Sequence, residues 1–121
     1  MTFTSFEELD CWQAARDAGK LIRGFIKKLP TSERYDLIDN MRRASRSSTR
    51  NIAEGFGRDS TKEYLRFLNI SIGSLFELQT QLEISKNIEY LTKEEYTILY
   101  DDSREVERML VSFINKIKER N

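Results

Sequence analysis

Four long stretches of this chain place an apolar or small residue at every third or fourth position, and the segments between them are only a few residues long. That spacing belongs to an α-helix buried along one stripe, and it is incompatible with the two-residue repeat of a strand. The first stretch, about Phe6 to Leu29, carries Leu9, Trp12, Ala15, Ala18, Ile22, Phe25 and Leu29. The second, about Glu33 to Phe56, carries Ile38, Met41, Ser45, Ser48 and Ile52. The third, about Thr61 to Lys86, carries Tyr64, Leu68, Ser71, Leu75, Leu78 and Leu82, and the fourth, about Lys93 to Arg120, Leu99, Ser103, Val106, Leu110, Phe113 and Ile117. Helices of this size are about 36–42 Å long, and matched lengths with short loops predict an all-α, antiparallel, up-down-up-down four-helix bundle. With 121 residues, one such domain accounts for positions 1–121.

Punctuation supports the same division. Ser5 with Glu8, Ser60 with Glu63 and Thr92 with Glu95 each have the spacing of a capping box, and Thr31 or Ser32 can cap a helix after Pro30. Breaks are expected near Leu29–Ser32, Gly55–Ser60 and Asn87–Thr92. Gly55 and Gly57 flank Phe56, where a glycine can end a helix in the left-handed conformation. Gly73 lies mid-helix, at a cost of about 1 kcal/mol relative to alanine, which predicts a close helix contact there. The second stretch is small along its middle (Ala44, Ser45, Ser48, Ala53), permitting close approach of a neighbour. The third has surplus apolar residues, Phe67, Ile70, Ile72 and Phe76, which need cover within the bundle or from another subunit.

Several chemistries are excluded by what is missing. The chain has no histidine, so the commonest general base, metal ligand and catalytic-triad member are absent. Cys11 is the only cysteine, which rules out an internal disulfide and a thiolate metal cage and favours a packed thiol over a nucleophile. A di-metal bundle would need Glu-x-x-His pairs, so no metal or cofactor is expected. No apolar run approaches the length of a membrane span, and the N-terminal Met-Thr-Phe-Thr-Ser has no signal-peptide character; the expected compartment is the cytoplasm.

Net charge is zero, yet the charges are segregated. Between Asn40 and Arg58 stand Arg42, Arg43, Arg46, Arg50 and Arg58 against Glu54 alone, while nine acids lie between Glu77 and Glu107 against Lys86, Lys93 and Arg104. Opposite charges facing each other across helices or subunits would explain this. So would a cationic face for a polyanion, because Arg42, Arg46 and Arg50 recur every four residues along one helix edge. Asn51 and Glu54, three apart, share a face that Arg43 and Arg50 overlap, which suggests a polar network fixing register or crossing an interface.

The run Arg42-Arg43-Ala44-Ser45-Arg46-Ser47-Ser48-Thr49-Arg50-Asn51-Ile52-Ala53-Glu54-Gly55, followed by Gly73-Ser74-Leu75-Phe76-Glu77-Leu78, resembles the signature of the small four-helix-bundle proteins encoded within intervening sequences of bacterial 23S rRNA genes. Phe6-Glu7-Glu8-Leu9 with Trp12-Gln13, and Leu29-Pro30 with Glu33 and Tyr35, fit the same pattern, so the resemblance spans nearly the whole chain. It implies a homopentameric ring of bundles. It also implies kinship with the accessory protein of diversity-generating retroelements, which works with a reverse transcriptase and nucleic acid.

Together these readings give a non-enzymatic, homo-oligomeric bundle associated with RNA or DNA. Arg42, Arg43, Arg46, Arg50 and Arg58 are its candidate nucleic-acid residues, and Asn51, Glu54, Ser74 and Glu77 its structural polar network or interface. The alternative is a protein-interaction module that binds no nucleic acid and whose arginines make salt bridges between subunits.

Overall fold

The structure is a computed structural model that describes residues 3–120, with the backbone alone at Arg34 and Tyr35. The expectations placed on the first two residues and on the Tyr35 side chain therefore lie outside the described residues. Four α-helices form the bundle: α1 (Asp10–Ile26), α2 (Asp39–Phe56), α3 (Thr61–Asn87) and α4 (Lys93–Glu119), and the described residues include no strand. α1 and α3 stand on one diagonal, since each packs on both α2 and α4.

The core has two parts stacked along the bundle. At the end holding the α1–α2 and α3–α4 turns, Ile22, Phe25, Ile38, Met41, Leu78, Leu82 and Leu99 pack together. Toward the α2–α3 turn, Leu9, Ala15, Ile52, Leu68, Leu75, Val106, Leu110 and Ile114 form the second cluster. Every apolar stripe read from the sequence contributes to one of these. α2 packs most extensively on α3, and the reason is its run of small residues. Ser48 and Ser71 are buried at 1% and 0% exposure; their hydroxyl oxygens lie 3.0 Å apart, and the Ser71 hydroxyl also donates to the Ser48 carbonyl at 2.7 Å. Buried hydroxyls are tolerated here because each has a partner.

The starts of α3 and α4 follow their caps. Ser60 Oγ accepts the Glu63 amide at 3.1 Å, and Thr92 with Glu95 closes a full capping box at 3.1 and 3.0 Å. The first two helices are shorter than expected. Phe6–Glu8 is a 3₁₀ turn, and Leu9 is extended so that its side chain can bury at 1% exposure. Ser5 caps that turn through the Glu7 amide, while Thr4 occupies the Glu8 carboxylate, so no capping box forms with Glu8. α1 stops at Ile26 rather than Leu29, because the residue before Pro30 is pushed out of helical geometry. α2 begins at Asp39 rather than Glu33: a 3₁₀ turn at Thr31–Glu33 and a π turn at Arg34–Ile38 precede it. The wide turn lets both Leu37 and its neighbour Ile38 reach the core.

The glycine expectations also change. Neither Gly55 nor Gly57 has a positive φ; Gly57 ends α2 at φ −83°. Gly55 is needed for space, since a Cβ there would stand 3.0 Å from both Phe67 Cβ and Tyr64 Cδ1. The left-handed position is instead Glu89, at φ 66° after α3, where its amide donates to the Lys86 carbonyl and the Tyr90 amide to that of Ser85. That pattern is a Schellman closure with a non-glycine residue at its left-handed site. Gly73 touches no other helix of its own chain, as a Cβ there would meet nothing within 4 Å.

Candidate nucleic-acid interface

The inward side of α2 is set by Met41, Ala44, Ser45, Ser48, Ile52 and Gly55, so the opposite side faces solvent. At 3.6 residues per turn, that opposite side carries Arg42, Arg43, Arg46 and Arg50. Their surroundings differ. Arg42 reaches Asp39 at 3.5 Å, one turn away. Arg43 crosses to α3, donating to Glu77 at 2.6 Å and to Asn40 at 3.1 Å. Arg46 and Arg50 are exposed, and among the described residues neither makes an ion pair.

Arg58 lies past the end of α2. It donates through Nε to the Glu54 carbonyl at 3.1 Å and pairs with the Glu54 carboxylate at 2.8 Å, its guanidinium 4.7 Å from the centre of the Phe67 ring. Glu54 therefore serves the last turn of its own helix and not Arg50, contrary to the sequence expectation. Three of the five arginines thus have exposed carboxylate partners. Exposed pairs of this kind contribute about 0–1 kcal/mol, little enough that a phosphate can take over the guanidinium.

Asn51, Glu54, Ser74 and Glu77 do not form one network. Along the α2–α3 seam, Asn51 donates to the Ser47 carbonyl at 2.8 Å and to Ser47 Oγ at 3.0 Å, and Ser74 Oγ lies 2.7 Å from the same hydroxyl. Glu77 belongs to the separate Arg43 pair, and Glu54 to Arg58. Both carboxylates are partly exposed, so none of this is a buried charge. Ser47, the hub of the serine–asparagine group, was not singled out in the sequence. Its position four residues from both Arg43 and Asn51 was the available signal.

Of the nine acids from Glu77 to Glu107, Glu83, Glu95, Glu105 and Glu107 pair with cations outside the arginine-rich segment. Glu83 accepts from Tyr96 at 2.6 Å, and that bond, with Lys86 beside it, holds its carboxyl below the usual range. Arg43–Glu77 is the one ion pair among the described residues that joins the arginine-rich segment to the acidic one. Away from α2, a groove of about 620 Å³ runs between the start of α1 and the end of α4, floored by Leu9, Cys11, Met109 and Phe113. Burial pushes the Cys11 thiol up to about 11, so it stays protonated and packs as a small apolar group. Among the described residues, no group of three or more potential ligands could hold a metal ion, and no helix is long and apolar enough to cross a membrane.

Fold and surface together define a four-helix bundle whose second helix turns a row of arginines to solvent. The chain belongs to the family of 23S rRNA-intervening sequence proteins, which it matches over residues 7–112. Among solved structures it is similar to a protein with unknown function from the S23 ribosomal protein family of Bacteroides thetaiotaomicron: the two are 25% identical, with a TM-score of 0.80, over 86% of this chain and 97% of that one. No curated protein matches the chain.

Proposed function

We propose that this protein is a non-enzymatic, homo-oligomeric bundle that associates with nucleic acid through the phosphate backbone, using the solvent face of α2. The observation that carries this reading is the pair Arg46 and Arg50, one turn apart, exposed, and without a carboxylate partner among the described residues. Arg42, Arg43 and Arg58 flank them in exposed pairs that phosphate can displace. Contacts of this kind bind backbone and not base edges, so RNA and DNA of unrelated sequence are bound alike. The family's name refers to 23S rRNA, which makes a structured RNA the natural first ligand.

The test compares wild type with Arg46→Ala/Arg50→Ala on a structured RNA and a DNA duplex at low salt. The variant is expected to lose affinity for both by a similar factor, while light-scattering mass and helicity stay unchanged. If the wild type binds neither polymer, or if the variant's oligomer dissociates, the arginines serve subunit contacts and the interaction-module alternative holds.

A further inference from the structure

We propose that the α2–α3 end of the arginine row is a stacking site for an unpaired nucleobase, with Arg58 as the surface on which the base lies. The inference rests on the phosphate-binding reading above and names the class of nucleic acid favoured: strands with unpaired bases over continuous duplex.

The site is built where α2 gives way to α3. Gly55 lets the two helices come close, since a Cβ there would stand 3.0 Å from both Phe67 Cβ and Tyr64 Cδ1. Phe67 is thereby set, half-buried, beside the end of α2. The four-residue step through Arg42, Arg46 and Arg50 continues to Glu54 and Arg58. Each such step drifts about 40° round an α-helix, and here the drift carries the row to the side where α3 packs. Arg58 follows the last turn of α2, its amide donating to the Gly55 carbonyl at 3.0 Å. Its guanidinium carbon lies over the Phe67 ring, 4.7 Å from the centre.

This guanidinium is held in a fixed orientation. Nε donates to the Glu54 carbonyl at 3.1 Å and Nη2 to the Glu54 carboxylate at 2.8 Å. Two bonds to one residue set the plane of the group, and the ring supports one side of it. The Arg58 side chain is nonetheless 42% exposed, so the side turned away from Phe67 is open to solvent. A phosphate that displaced the carboxylate would leave the ring contact and the carbonyl bond in place.

Local charge favours a base here over a further phosphate. Arg58 is matched by Glu54, and Arg66, 5.6 Å from the centre of the same ring, by Glu63 at 3.6 Å. A phosphate approaching this end meets two carboxylates. An uncharged, flat base meets no such repulsion and gains by stacking on the delocalised cation. Arg58 lies about 12 Å beyond Arg50 at the standard helical rise. A strand held at its phosphates by Arg46 and Arg50 can therefore lay a following base on Arg58. In a continuous duplex the base faces are covered by their neighbours and cannot do so.

The experiment measures binding of wild type, Arg58→Lys, Phe67→Leu and Arg46→Ala/Arg50→Ala to an unstructured single strand and to a duplex, at one salt concentration. The single strand is made as RNA and as DNA, each carrying 2-aminopurine. Arg58→Lys keeps the charge and removes the plane. It should lose roughly tenfold in affinity for both single strands, the worth of about one stacked base, and little for the duplex. Phe67→Leu should act in the same direction. The 2-aminopurine emission should fall on binding wild type and stay unchanged with Arg58→Lys. Arg46→Ala/Arg50→Ala should weaken single strand and duplex alike. Wild type that binds the strands without a change in emission overturns the stacking site and leaves the phosphate reading standing. So does Arg58→Lys that lowers only the melting temperature, which would make Arg58 a helix-end contact alone. Wild type that binds neither polymer overturns both readings.

Discussion

Replacing Ser71 by alanine tests whether the α2–α3 contact is held by its buried hydroxyls. Ser71 is fully buried, and its single proton goes to the Ser48 carbonyl at 2.7 Å. The Ser48 hydroxyl, 3.0 Å away, must then donate to Ser71 Oγ. Ser71→Ala removes both bonds and leaves the Ser48 hydroxyl buried without its partner, which costs about 1.5–3 kcal/mol. Ser48→Ala removes one bond and leaves Ser71 still donating to the carbonyl, at about 1 kcal/mol. The double variant leaves no orphaned hydroxyl, so its cost should fall about 1 kcal/mol below the sum of the singles. Urea denaturation followed by circular dichroism, carried through as a double-mutant cycle, measures all three. Ser71→Ala as stable as wild type, or strictly additive variants, would refute the reasoning.

Three further predictions concern the bundle itself. Glu89→Gly should raise the melting temperature by roughly 3 °C, because it relieves about 1 kcal/mol of left-handed strain at φ 66°. Gly55→Ala should lose about 1–3 kcal/mol through its 3.0 Å clashes with Phe67 and Tyr64, whereas Gly57→Ala, with its nearest neighbour at 3.8 Å, should change little in the same melts. Burial, with Asp17 and Glu105 nearby, raises the Asp102 carboxyl above its ordinary value, so the fold disfavours its charge. Asp102→Asn should therefore stabilise the protein at neutral pH. That gain should shrink as pH falls through the raised value and vanish below the ordinary carboxylate range near about pH 4; a gain that persists in acid would contradict it.

Where the fold was legible, one local rule acted without competition. The spacing of Leu68, Leu75, Leu78 and Leu82, with Ser60 as cap, fixed α3 nearly to the residue. Prediction failed where a tertiary demand overrode a local signal. Ser5 and Glu8 have the spacing of a capping box, but burying Leu9 needs extended backbone just before α1. Gly55 and Gly57 carry a helix-stop signature, yet Gly55 answers to the nearness of Tyr64 and Phe67, a contact invisible in one dimension. At the candidate interface, four-residue spacing placed Arg42, Arg46 and Arg50 on one edge. It could not choose among carboxylate partners, so Glu54 with Arg58 and Glu77 with Arg43 emerged only from the packed helices.

The central claim, that the α2 arginines bind phosphate, is tested most directly by the salt dependence of binding to a structured RNA. Each phosphate contact contributes about 0.9 to the slope of log affinity against log salt on duplex, and somewhat less on single strands. Arg46→Ala/Arg50→Ala should therefore lower the slope by about 1.4–1.8 relative to wild type, with affinity falling by a similar factor on RNAs of unrelated sequence. An unchanged slope in the double variant, or the absence of wild-type binding at low salt, would contradict the account.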